Sequence, residues 1–294
     1  MHADEFVTDA ALVERLIAAQ FPQWAGLPIE AVPSAGTDNA LYRLGDDLAV
    51  RLPRIAGATG QLAKERRWLP HLAPHLPLAI PTPLALGAPG AGYPWPWAVY
   101  RWLDGENATF DRLADPGEAA LALAEFIVAL RRIDPTDGPP SPRGGPLAPR
   151  DGAVRSALAA SQGLFDTEAA LVAWEAAHRA PEWDGPPVWS HGDIQSGNLL
   201  ARAGAVSAVI DWGCLGIGDP ACDLMVAWNL FTPPIRAAFR AALAPDDATW
   251  ARGRGWALSC AIIALPYYID TNPGLVAISR HSIAAVLEEL REEG

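Results

Sequence analysis

The sequence is short of several things, and each shortage excludes something. It has three cysteines in 294 residues, Cys214, Cys222 and Cys260, with no C-x-x-C pair. Three cannot all pair, so they read as reduced thiols of a cytoplasmic protein rather than a disulfide framework or a thiolate metal site. No apolar run approaches the roughly 20 residues of a membrane span; the best candidate, Ala257 to Tyr268, is interrupted by Ser259 and Pro266. The first residues carry Asp4, Glu5 and Asp9 ahead of any basic residue, a pattern unlike a secretory signal. There is no G-x-x-x-x-G-K-[ST] run, which removes P-loop enzymes. Bases are outnumbered, 22 Lys and Arg against 34 Asp and Glu, which argues against a nucleic-acid partner. Of those bases only Lys64 is a lysine.

What is there is unevenly spread. Residues 1–102 hold 9 acids and 8 bases, whereas residues 103–294 hold 25 acids and 14 bases. An acidic second part would draw in a cationic small molecule, although such charge also serves solubility. Half the residues are hydrophobic, which fits a globular chain.

The two parts also differ in pattern. Residues 8–20 place Ala11, Leu12, Leu16 and Ile17 at helical spacing. Ala40–Leu44 and Leu48–Leu52 flank Gly45-Asp46-Asp47, a hairpin signal. Residues 57–72 read as a loop entering a helix, 74–96 as loop and strand, and 97–103 as a strand. Beyond that, helical patterns dominate: 116–133, 152–164, 167–180, 220–231, 235–243, 247–265 and 278–292, with a Pro- and Gly-rich loop over 134–150. A first domain over 1–102 and a second over 103–294 follow.

The densest chemistry is His191-Gly192-Asp193-Ile194-Gln195-Ser196-Gly197-Asn198, followed by Ala208-Val209-Ile210-Asp211. An H-x-D-x-x-x-x-N loop puts a carboxylate where it can take a proton from a substrate hydroxyl and an amide oxygen where it can hold a metal. The apolar run before Asp211 reads as a buried strand delivering a second carboxylate. Hard oxygen donors of this kind suit Mg²⁺ shared with phosphate oxygens.

With Gly218-Asp219-Pro220-x-x-Asp223-Leu224 added, these motifs resemble the aminoglycoside phosphotransferase family, a branch of the protein-kinase-like fold, over nearly the whole chain from about Ser34 to the 280s. The resemblance implies an α+β, two-lobed protein-kinase-like fold, with a small β-rich N-terminal lobe and a larger, mostly helical C-terminal lobe. Gly192 stands where protein kinases carry Arg, and no A-P-E motif follows Asp211, so protein substrates are not expected.

The resemblance also implies roles. Asp193 is the general base or acceptor-orienting carboxylate, and His191 braces its loop or joins the catalysis. Asn198 and Asp211 hold Mg²⁺. Arg51, in Leu48-Ala49-Val50-Arg51, stands where V-A-I-K places its phosphate-binding lysine, with Glu65 as its helix partner. Ser34, Gly36 and Thr37 cover the phosphates of ATP or GTP, and the backbone of Val99, Tyr100 and Trp102 holds the adenine edge. Asp219 and Pro220 suit the cap and first position of a helix; Asp219 or Asp223 could instead meet a cationic substrate. Among the tryptophans and tyrosines of the second part (Trp183, Trp189, Trp228, Trp250, Trp256, Tyr267, Tyr268), most should pack, and one or two could line an acceptor pocket. The expected reaction is transfer of a γ-phosphoryl group to a hydroxyl of an aminoglycoside-type antibiotic. The alternatives are a macrolide or small hydroxylated metabolite as acceptor, and a non-catalytic nucleotide-binding pseudokinase. Intact Asp193, Asn198 and Asp211 argue against the last.

Overall fold

The structure, a computed structural model, describes residues 5–33 and 38–293. Ser34, Gly36 and Thr37 therefore lie outside the described residues. The chain divides into two compact units, Met1–Pro74 with Ala79–Asp104, and His75–Leu78 with Gly105–Gly294. The architecture is α+β.

In the first unit, strands β1 (Ile29–Val32), β2 (Asn39–Leu44), β3 (Leu48–Pro53), β4 (Pro83–Gly87) and β5 (Trp97–Arg101) form one antiparallel sheet in the order β1-β2-β3-β5-β4. The β2–β3 turn opens on Gly45 at φ 60°, a left-handed conformation that glycine adopts at little cost, and sets Leu44 opposite Leu48. All six residues of β3 are buried, because it has a strand on either side and cover on both faces. Alternation then assigns its side chains. Leu48, Val50 and Leu52 join the cluster formed by Leu12, Val13, Leu16 and Ile17 of helix α1 (Ala10–Gln20). Ala49 packs on the opposite side with Leu62 of helix α2 (Thr59–Leu72), which is where Arg51 also points. Helix α1 starts where its sequence says it should: the Asp9 carboxylate accepts the Leu12 N–H at 2.7 Å.

The second unit is mostly helical. Helix α3 (Pro116–Arg132) is capped by Asp115, which accepts from the Gly117 and Glu118 N–H groups, and has Pro116 in its first turn. Helices α4 (Asp151–Ala160), α5 (Thr167–His178), α6 (Val226–Asn229), α7 (Pro233–Leu243), α8 (Asp247–Tyr268) and α9 (Pro273–Glu293) follow. Two small sheets interrupt them: β6 (Glu106–Asn107), β8 (Leu199–Arg202) and β9 (Ala205–Val209) in the order β6-β8-β9, and β7 (Val188–Ser190) paired with β10 (Gly216–Gly218). No helix of the described residues is long and apolar enough to cross a membrane.

Three helical expectations shift. The helix expected over 152–164 ends at Ala160, where the chain turns through Gly163 at φ 82°. Residues 220–231 form a 3-10 stretch, Pro220–Met225, and the single turn of α6, buried throughout. Here helix α8 comes so close at Gly253 that an added Cβ would meet Leu224 Cβ at 2.7 Å. Helix α9 begins at Pro273, earlier than expected, because the Asn272 side chain accepts the Leu275 N–H at 3.1 Å.

Candidate active site

The catalytic-type loop leaves β7 and re-enters regular structure at β8 through a 3-10 turn at Ser196–Asn198. Its entry depends on Gly192, at φ 82°; an added Cβ would lie 2.9 Å from the Cys214 Cβ and carbonyl oxygen. Any larger residue, arginine included, is excluded on both counts. The loop is then fixed from beneath. The fully buried Asp223 carboxylate accepts the N–H groups of His191 at 3.1 Å and Gly192 at 2.7 Å. Burial pushes the Asp223 carboxyl above its usual range, against the opposing pull of His191, these two N–H groups and Arg131. So placed, Asp223 holds the loop and cannot reach a ligand.

His191 is also fully buried. Its Nδ1 accepts the Asp193 N–H at 3.1 Å, which leaves Nε2 to donate to the Ile210 carbonyl at 3.0 Å. Its ring meets Trp212 edge-on at 4.7 Å. One imidazole thus ties the residue before Asp211 to the backbone of Asp193.

Asn198 and Asp211 come together through the β8–β9 hairpin. Leu199 pairs with Val209, and one step further out the Ile210 N–H donates to the Asn198 carbonyl at 2.9 Å. Asp211 follows immediately, exposed and at φ 61°, ψ 72°, a left-handed conformation uncommon outside glycine and strained for most side chains. Asn198 Nδ2 donates to the Asp193 carbonyl at 2.9 Å and to Asp193 Oδ2 at 3.1 Å, which reserves its other end, an oxygen, for a different partner. The structure therefore brings Asp193, His191, Asn198 and Asp211 into one neighbourhood of the second unit. No group of three or more His, Cys, Asp or Glu among the described residues is arranged to hold a metal unaided. The donor set still fits Mg²⁺, which takes one or two protein oxygens and completes its shell with phosphate and water.

Asp219 caps the 3-10 stretch, accepting the Ala221 N–H at 2.9 Å, and pairs with Arg252 at 2.7 Å; both side chains are buried. Trp189, Trp228, Trp250 and Trp256 are core residues, whereas Trp183 is half-buried. With Glu182, Gly144, Gly145 and Pro187, Trp183 lines a hollow of about 150 Å³. All three cysteines are free, and burial pushes the Cys214 thiol up to about 11.

In the first unit, Arg51 and Glu65 form a tight pair. Arg51 Nη1 donates to both Glu65 carboxylate oxygens, at 2.7 and 2.9 Å, and Nη2 to Gln61 Oε1 at 2.8 Å. Glu65 is fully buried and Arg51 is 9% exposed. Tyr100 completes the cluster, its hydroxyl donating to Glu65 Oε2 at 2.6 Å. Burial first, then the Glu65 charge, pushes the Tyr100 hydroxyl far above its ordinary value. Val99 is a fully buried residue of β5. The Trp102 N–H donates to the Asp47 carbonyl at 2.7 Å, so of the backbone groups expected to meet adenine this donor is already committed.

Two contributors escape a reading of the sequence. One is the support that Gln61 gives Arg51 and the Tyr100 hydroxyl gives Glu65. The other is Arg143, whose Nη1 forms an ion pair with Asp193 Oδ1 and donates to the Gly192 carbonyl at 3.1 Å. Arg143 lies 50 residues before its partner in the Pro- and Gly-rich loop, where no periodicity marks it.

The profile of the phosphotransferase enzyme family matches residues 30–256, which is most of the chain. The chain belongs to the phosphotransferase enzyme family. Membership makes it an O-phosphotransferase acting on small molecules. No curated protein matches the sequence. Solved structures similar to this family member include the GDP complex of a variant of aminoglycoside 2'-phosphotransferase-IIIa, at 20% identity and TM-score 0.72, with 97% of each chain covered. Macrolide 2'-phosphotransferase MphH from Brachybacterium faecium is similar at 24% identity and TM-score 0.59, covering 95% of this chain and 97% of that one. Macrolide 2'-phosphotransferase type I is similar at 19% identity and TM-score 0.62, covering 97% and 98%. The fold of this phosphotransferase is thus the kinase-like α+β fold of those enzymes.

Proposed function

We propose that the protein moves the γ-phosphoryl group of ATP or GTP, with Mg²⁺, to a hydroxyl of an aminoglycoside-type antibiotic. The observation that carries the reading is the convergence of Asp193, Asn198 and Asp211 at one end of the β8–β9 hairpin. In this reading Asp193 accepts a hydrogen bond from the acceptor hydroxyl and aims its oxygen at the phosphorus. Asn198 Oδ1 and the Asp211 carboxylate hold Mg²⁺, which when bound offsets the phosphate charge. Arg51, held by Glu65, contacts phosphate oxygens, and residues 1–102 are the nucleotide-binding part. Residues 103–294 form the acceptor part. Positioning and electrostatics supply most of the rate gain, because phosphoryl transfer needs little covalent help. The free cysteines fit a cytoplasmic setting.

The aminoglycoside is supported by the net charge of residues 103–294, 25 acids against 14 bases, and by the exposed Glu182 beside Trp183 in the 150 Å³ hollow. A macrolide acceptor is the second reading. It is favoured by Arg143, a cation placed directly on Asp193. Phosphate release with Mg–ATP or Mg–GTP, followed by product mass measurement with kanamycin and erythromycin, separates the two. Kanamycin should also raise the melting temperature at low salt, and less at high salt. A response to erythromycin with none to kanamycin would transfer the assignment to the second reading.

A further inference from the structure

We propose that Arg143 is a positioning residue for the transfer step: it grips Asp193 Oδ1 so that Oδ2 is the oxygen offered to the acceptor hydroxyl. This rests on the reading of Asp193 given above.

The two oxygens of Asp193 have different company. Oδ1 receives the guanidinium of Arg143. Oδ2 receives only neutral amides, Asn198 Nδ2 at 3.1 Å and Gln195 Nε2 at 3.3 Å. The terminal torsion of an aspartate is broad and nearly two-fold, so nothing intrinsic to the residue tells its oxygens apart. The arginine does, by holding one oxygen and, through the same nitrogen, the Gly192 carbonyl next to it.

The segment that carries Arg143 is tied down along its length. The Ile217 N–H donates to the Pro139 carbonyl at 2.8 Å, the Ser141 N–H to the Ile217 carbonyl at 3.0 Å and the Asp219 N–H to the Gly144 carbonyl at 2.8 Å. Ser141 Oγ donates to the Cys214 carbonyl at 3.1 Å. The backbones approach this closely only because β10 has glycine at both ends. A Cβ on Gly216 would strike the Ser141 backbone, and one on Gly218 would strike Gly144. The ion pair is nonetheless partly open to solvent, with the Arg143 and Asp193 side chains 25% and 20% exposed, unlike the fully buried Glu65. Close anchoring of a pair left partly open points to placement of the carboxylate.

The test uses the full chain with Mg–ATP and Mg–GTP, taking kanamycin, erythromycin or water as the phosphoryl acceptor and reading phosphate transfer. Arg143→Met is expected to lower kcat about 10- to 100-fold, as misplacement of a catalytic group does, while the nucleotide KM stays within about twofold. Arg143→Lys should recover part of the loss, and so should free guanidinium added to the Met variant but not to Asp193→Ala. Should the Met variant not fold, Arg143→Gln carries the same expectations. A neutral variant with wild-type kcat, beside an inactive Asp193→Ala, overturns the proposal. An active Asp193→Ala instead overturns the reading of Asp193 itself.

Discussion

The protein contains two arginine–carboxylate pairs that look alike on paper and sit in different surroundings. Arg51–Glu65 sits inside the first unit, bidentate, with Glu65 fully buried and its second oxygen also taken by Tyr100. Arg143–Asp193 sits in the second unit, with the arginine on one carboxylate oxygen only, on loops and partly open to water. A buried pair constrains the fold, because neither charge can be left alone once water is gone. The partly open pair leaves its second carboxylate oxygen to neutral amides alone. The difference teaches that burial, as much as the partner, sets what an ion pair contributes to the fold.

The sharpest way to break the comparison is to remove each carboxylate. Asp193→Ala should cut phosphate transfer about 10²- to 10⁴-fold, with nucleotide affinity and urea stability close to wild type; equal loss of nucleotide affinity would contradict the division drawn here. Glu65→Ala should act on the fold first. It strands a buried guanidinium and is expected to cost about 3–5 kcal/mol in urea unfolding, more than Arg143→Met costs. Tyr100→Phe is gentler: losing the hydroxyl that donates to Glu65 should cost about 1–3 kcal/mol, with the fold retained. The smallest effect comes from a carboxylate whose main partners are not arginine. Asp246 caps α8 by accepting the Thr249 N–H at 2.7 Å, and that bond foremost lowers its pKa. A depressed carboxyl lends stability above its unfolded pKa and loses it as pH falls through the folded one. Asp246→Ala should therefore cost about 1 kcal/mol at neutral pH and progressively less in acid, measured by melting at a series of pH values.

The same pairs show what a sequence can disclose. Arg51 and Glu65 are 14 residues apart, and their pairing is expected from the family resemblance rather than from the local pattern of either element. The proximity of Asp193, Asn198 and Asp211 is legible because the first two share one short loop and the third closes the next hairpin strand. Arg143 was not, since its loop has no period and its contact is made by backbone pairing with β10, 70-odd residues away. The small strands β1, β6, β7, β8 and β10 escape the sequence for a related reason: at two to four residues each they are too brief to show alternation. The 3-10 stretch at Pro220–Met225 read as α-helix because burial on all sides erases the signal that separates the two.

The backbone of Asp211 has a practical consequence for anyone altering the site. At φ 61° it sits where asparagine is nearly as comfortable as aspartate and where alanine or valine is not. Asparagine at this one position would therefore delete a negative charge while sparing the chain path, and alanine would confound the two. Evolution faces the same asymmetry: drift at residue 211 has few exits that keep the path of the chain.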